Sequence, residues 1–186
     1  MYSANKTNKI VMTALMMCLI TVATMLIRVP IPFTQGYVHL GDAMIFLSVL
    51  LLGWKYGTVA AAIGSLLGDV IGGFAMWAPW TLCIKGGMAI IMGLLVASAA
   101  KSATPKIARL DLKALIGMIL GGAFMTFGYF VAEGIMYGNF VSAALGIPWN
   151  IGQFAVGMVI ATILAAALGK TPARKFFTYN IISEKH

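Results

Sequence analysis

Apolar runs of about 20 residues, separated by short polar punctuation, recur along this chain and leave few architectures open to it. In hydrocarbon each segment must satisfy its own backbone N–H and C=O groups, so runs of this length fold as membrane-crossing helices. Composition agrees, because 61% of residues are hydrophobic and 10% charged, too apolar for an ordinary soluble domain. The expected fold is an all-α integral membrane protein, a single domain over residues 1–186 built as one bundle of six transmembrane helices. Their approximate bounds are 10–27, 39–54, 57–76, 80–99, 114–137 and 148–168. The second crosses only if it begins near His39, since its apolar part from Ala43 to Leu52 is short. Pro30 and Pro32 break the chain after the first span, Gly53 and Gly57 bracket a tight turn, and Pro79, Pro105 and Pro148 mark loops or their edges. The polar start, Met1 to Lys9, runs into apolar sequence without an Ala-x-Ala site, which predicts a retained first span and no secretory signal.

Orientation follows from the loops. With both termini cytoplasmic, Lys6, Lys9, Lys55, Lys101, Lys106, Arg109, Lys113, Lys170, Arg174, Lys175 and Lys185 share the inner face. Only Arg28 falls in an outer loop, and Lys85 lies within the fourth span. The positive-inside rule therefore predicts an N-in, C-in topology. The net charge of +8 is punctuation between spans and forms no basic face for nucleic acid. Cys18 and Cys83 sit inside apolar stretches and read as small buried hydrophobes, not as a disulfide or a metal site.

A charge in hydrocarbon costs about 2.5 kcal/mol or more, so an ionisable residue inside a span marks a functional site by default. Threaded through the bilayer, Asp42, Asp69, Lys85 and Glu133 collect near the outer face with the amides Asn150 and Gln153, forming a cup open to the outside. Each has two readings. Asn150 and Gln153, three residues apart on one helix face, either hold a neutral heterocycle through donors and acceptors, or cap the sixth helix and bond a neighbour. Lys85 and Glu133 either pair with each other or bracket a ligand. Asp69 follows a glycine ridge and is expected to bond within the bundle, whereas Asp42 and the interfacial His39 are candidate ligand contacts. Trp77, Trp80 and Trp149, with Tyr37 and Phe74, are either an interfacial aromatic belt or rings that stack on a planar ligand, with Trp77 to Trp80 a tight loop over the cup.

Ala60, Gly64, Gly68 and Gly72, and likewise Gly157, Ala161, Ala165 and Gly169, recur every four residues and offer smooth ridges for close helix packing or for a second membrane subunit. Met16, Met17 and Met25 on the first span suit an exchangeable contact. Gly169-Lys170-Thr171 imitates the end of a phosphate-binding loop, but Leu164 stands where that motif needs glycine. No zinc-protease or nucleophile-elbow motif occurs, so neither a metal, a cofactor, ATP use nor enzymatic chemistry is expected.

The run Val38-His39-Leu40-Gly41-Asp42-Ala43, Gly68-Asp69, Trp80 to Gly86 with Lys85, and Pro148-x-Asn150-x-x-Gln153 resemble, over nearly the whole chain, the substrate-binding S components of energy-coupling factor (ECF) vitamin transporters. The resemblance is strongest to the hydroxymethylpyrimidine, pyridoxine and riboflavin types. It implies a subunit of a bacterial plasma membrane that captures a small heteroaromatic vitamin from outside and delivers it inward with a scaffold membrane subunit and two cytoplasmic ATPases. It also implies a lid over Arg28 to Val38, including Pro30, Pro32 and Tyr37, and toppling in the membrane during delivery. Many members carry Ala-x-x-x-Ala on the first span for scaffold docking, and here Ala14-x-x-x-Cys18 stands in its stead. A stand-alone proton-coupled carrier using Glu133 and Asp69 is the competing reading. It calls for polar groups near the midplane and for an inverted repeat, neither of which the sequence offers.

Overall fold

The computed structural model describes residues 6–31, 37–99, 106–107 and 110–178, so Pro32 of the expected lid lies outside the described residues. Among these, α1 (Lys6–Leu26), α2 (Gly41–Ile71), α3 (Ala78–Ala99), α4 (Leu112–Tyr137) and α6 (Ile147–Leu168), the last preceded by the short α5 (Phe140–Leu145), carry the bundle. These five long helices are long and apolar enough to cross a membrane. The chain is mostly helical rather than wholly so. Strands β1 (Arg28–Pro30) and β2 (Tyr37–His39) form an antiparallel ribbon with Val29 opposite Val38, and β3 (Lys106–Ile107) pairs with β4 (Leu110–Asp111) at the other end.

The expected second and third spans are one assigned helix with a break. Gly53 has φ 75° and ψ 179°, outside helical space and open mainly to glycine. The Ser48 hydroxyl lies 3.4 Å from the Gly57 carbonyl, although nine residues of unbroken helix would separate them by about 13 Å. The chain thus doubles back at Gly53. Gly57 does not shape the turn but lets the arms touch, since a Cβ there would stand 2.8 Å from the Val49 Cα. The break frees the Leu51 carbonyl, which accepts hydrogen bonds from both the backbone N–H and the hydroxyl of Thr178 at 2.8 Å, meeting the demand that buried backbone groups be paired.

The glycine ridges pack inside the bundle. A Cβ on Gly64 would lie 2.9 Å from the Met17 carbonyl of α1, and one on Gly68 would lie 3.0 Å from Thr24 Cγ2. At this close approach the Thr21 hydroxyl donates across to the Gly64 carbonyl at 2.8 Å, an interhelical bond of the kind that fastens membrane helices. Gly157 brings α6 equally close to the start of α2, since a Cβ there would stand 3.0 Å from the Asp42 Cβ, with Ala161 and Ala165 buried one and two turns on. Met16 belongs to this core and is not available for an exchangeable contact. Cys18 and Cys83, expected to be buried, are both exposed, so they face outward from the bundle.

The second arm of α2 ends at Ile71, short of the expected 76, because the chain turns through Gly73 at φ 86°. Helix α3 then starts at Ala78, with Pro79 in its first turn, where proline fits a helix best. The expected loop from Trp77 to Trp80 is therefore mostly helix. Arg28 closes the neighbouring corner. Its guanidinium donates to the carbonyls of Gly72 and Gly68 at 3.1 Å each, satisfying the C-terminal end of α2, and lies over the Tyr37 and Phe74 rings.

Candidate functional site: a polar recess at one end of the bundle

Helices α2, α3, α4 and α6 and the β1–β2 ribbon meet at one end of the bundle. The recess they enclose is lined by Ile31, Tyr37, His39, Asp69, Trp77, Thr81, Tyr129, Glu133, Asn150 and Gln153. Its free space, counted out past the open mouth, is about 390 Å³, and the enclosed part has room for about two waters.

Beneath the lining lies a charged network. Lys85 of α3 donates to Asp42 Oδ1 at 2.5 Å, both side chains fully buried, and also meets the Met125 sulfur at 2.8 Å. The Gln153 amide nitrogen donates to Asp42 Oδ2 at 2.9 Å, and its oxygen accepts from the His39 backbone N–H at 2.9 Å. One continuous path therefore joins α3, α2, α6 and β2. Each polar side-chain atom in it has at least one partner, as burial in a low-dielectric interior demands.

This network corrects several expectations. Lys85 takes Asp42 as its partner and forms no pair with Glu133. Neither Lys85 nor Asp42 lines the recess; both support it from behind. Asn150 is no cap, because α6 begins at Ile147 and the Asn150 side chain instead donates to the Gly146 carbonyl at 3.1 Å. Gln153 does bond neighbouring elements, while one edge of it also faces the recess. Of the three tryptophans only Trp77 lines the recess. Trp80 is half-buried outside it, and Trp149 is 41% exposed on an adjoining apolar cleft with Pro148, Ile27, Val29 and Val38, which shares His39 and Gln153 with the recess.

The recess itself carries acceptors and donors on aromatic walls. Tyr37 donates to Asp69 Oδ1 at 2.5 Å, and burial, followed by this bond, raises the Tyr37 pKa above its ordinary value. Asp69 Oδ2 is buried without a hydrogen-bond partner. Asp69 thus bonds within the bundle, as expected, and also lines the recess. The His39 pKa falls to about 3, through burial first and the Lys85 charge second, so the ring is neutral. Its Nδ1 accepts from the Gly41 N–H at 2.9 Å, which assigns the ring proton to Nε2 and makes that atom a donor. Glu133 and Asn150 converge on Gly146, where a Cβ would stand 3.2 Å from Glu133 Oε2 and 3.7 Å from Asn150 Nδ2. The rings of Trp77 and Tyr129 lie 6.0 Å apart.

Thr81, Tyr129 and Ile31 were not singled out from sequence. Thr81 precedes Lys85 by one helical turn and Tyr129 precedes Glu133 by one, so the i, i+4 neighbours of each buried charge carried a usable signal. The Tyr129 hydroxyl reaches Thr81 Oγ1 at 3.3 Å. Ile31 left no such mark.

The sequence profile of the family described as "ECF-type riboflavin transporter, S component" matches residues 4–170. A protein of Lactococcus lactis subsp. cremoris, named thiamine precursor transporter HmpT, is 28% identical over 164 residues, 88% of this chain and 89% of that protein. An uncharacterized protein of Pyrococcus woesei is 41% identical over 119 residues, 64% of this chain and 74% of the relative. Among solved structures, the biotin S component of an ECF-type ABC transporter superposes with a TM-score of 0.63 over 95% of this chain and 99% of that one, at 18% identity, which establishes a shared fold. Since the family profile spans most of the sequence, the chain belongs to the S components of ECF-type riboflavin transporters, a family of membrane transport proteins and not of enzymes.

Proposed function

We propose that this chain captures a small heteroaromatic vitamin or vitamin precursor from outside the cell and delivers it inward as the substrate subunit of an ATP-driven importer. Hydroxymethylpyrimidine or pyridoxine is the favoured cargo and riboflavin the next. The observation that carries this reading is the recess, where aromatic side chains, an imidazole donor, two amides and two carboxylates converge on one concave polar opening. The likeness to a relative named for a thiamine precursor supports a pyrimidine in particular.

In the same reading the two arms of α2 cross separately, giving six crossings, with both termini cytoplasmic and the recess facing outward. The basic loops support this orientation. The partners are a scaffold membrane subunit, contacted through the exposed face of α1 that carries Ala14 and Cys18, and two cytoplasmic ATPases. The segment from Arg28 to Val38 acts as the lid, and the protein resides in a plasma membrane.

The test is titration of the purified chain in detergent with hydroxymethylpyrimidine, pyridoxine and riboflavin. Tight binding of one of them is expected. Binding of none, together with pH-driven uptake into liposomes by the chain alone, would establish a self-sufficient carrier instead.

A further inference from the structure

The charges of the recess are not balanced. Lys85, the cation deepest in the bundle, is consumed by Asp42, and Arg28 is held by the carbonyls of Gly68 and Gly72 beside the Tyr37 ring. Two carboxylates, Asp69 and Glu133, remain on the recess wall. Asp69 Oδ1 is engaged by Tyr37, while Oδ2 is buried with no partner. Thr81 stands beside Asp69 and accepts from Tyr129, which leaves its own O–H to donate, but it makes no hydrogen bond to Oδ2 in this structure. Buried polar groups in native proteins are almost always paired, and an unpaired carboxylate oxygen on a residue that lines a binding recess invites a donor from the cargo. That partner must donate, because a carboxylate oxygen only accepts.

We propose that Asp69 is the specificity-determining residue of the recess, its Oδ2 accepting from an N–H of the cargo, so that the recess selects neutral or cationic amino-substituted heteroarenes over oxo-substituted and anionic ones. This rests on the proposed capture function and narrows its substrate class. An exocyclic amine on a pyrimidine supplies the donor, and a ring nitrogen of the same molecule can accept from His39 Nε2 or from the Asn150 amide. A 4-oxo counterpart turns an acceptor toward Oδ2 and leaves two acceptors facing each other. A phosphate or carboxylate brings negative charge to a wall that already carries two acids and has no free cation among the described residues lining it.

The experiment measures binding of a 4-aminopyrimidine, its 4-oxo counterpart and the phosphate ester of the amino compound, by fluorescence of the purified full chain in detergent. The wild-type chain should prefer amino over oxo by roughly tenfold or more, the ratio expected when a buried acceptor is left facing another acceptor, and should reject the ester. Asp69→Asn, which can still accept from Tyr37 while presenting an amide N–H, should reverse the amino-over-oxo preference. Tyr37→Phe removes the internal partner and keeps Oδ2, so its preference should survive. Thermal melting checks that each variant is folded, and if Asp69→Asn does not fold, the wild-type and Tyr37→Phe preferences decide. Equal affinity for amino and oxo forms in the wild type, or an unchanged ratio in folded Asp69→Asn, overturns the proposal. Tight binding of riboflavin or of the ester with no preference for the amine overturns it and leaves the capture function standing. Binding of no heteroaromatic compound at all overturns both.

Discussion

Asp42 and Lys85 meet at 2.5 Å across α2 and α3, each with its side chain wholly out of contact with solvent. Desolvating two ions costs several kcal/mol apiece, and the pair persists because Gln153 and Met125 complete its contacts. Removing one partner strands the other. Asp42→Asn or Lys85→Met alone should destabilise the protein by about 3–5 kcal/mol, and the double variant should recover a large part of that loss. A double-mutant cycle on melting in detergent measures it, and additive losses would show that the two groups act independently.

The hairpin in α2 depends on a backbone conformation that a side chain resists. Gly53→Ala at φ 75° and ψ 179° should cost about 1–3 kcal/mol, while substitution of the helical Gly152, which has open space around its Cβ position, should cost less than about 1 kcal/mol. Thermal melting of the two variants side by side tests the contrast.

The two amides should separate by readout. Among the described residues the Asn150 side chain hydrogen-bonds only to the Gly146 carbonyl of its own helix start, so Asn150→Ala is expected to weaken cargo binding roughly tenfold with little change in melting. Gln153→Ala also releases Asp42 Oδ2 and the His39 N–H, so it should lower affinity and melting temperature together. Isothermal titration alongside thermal melting distinguishes the two.

The depressed pKa of His39 makes stability depend on pH. With a folded value of about 3 against about 6.5 unfolded, the unfolded chain binds more protons between those limits. Stability therefore falls as pH drops below about 6.5, by up to about 1.4 kcal/mol per unit, and is flat above it. His39→Gln should flatten the decline between pH 6.5 and 4 in a melting series. An unaltered slope in the variant would assign the acid sensitivity elsewhere.

Much of the scaffold was legible because its causes are local. Apolar runs of bilayer length, the proline and glycine punctuation, and the clustering of buried charges at one end all follow from what a lipid solvent permits each segment to do. The glycine ridges at Ala60 to Gly68 and Gly157 to Ala165 pointed to close helix contacts for the same reason, since helices in lipid gain from backbones that approach closely.

Pairing was not local, and there only the tertiary structure decided. At 1.5 Å per residue the sequence gives Lys85 a depth, but depth alone cannot tell whether its ammonium turns to Glu133 on α4 or to Asp42 on α2; helix rotation and the close crossing at Gly157 decide for Asp42. Burial then reassigns the remaining groups. Lys85, a ligand anchor by sequence, becomes internal support, and Asp69, structural by sequence, lines the recess and keeps one buried carboxylate oxygen unpaired. The chain by itself determined which residues had to leave lipid and at which end they gather. Three-dimensional packing determined which of them neutralise one another, and so which chemistry is left over for a ligand.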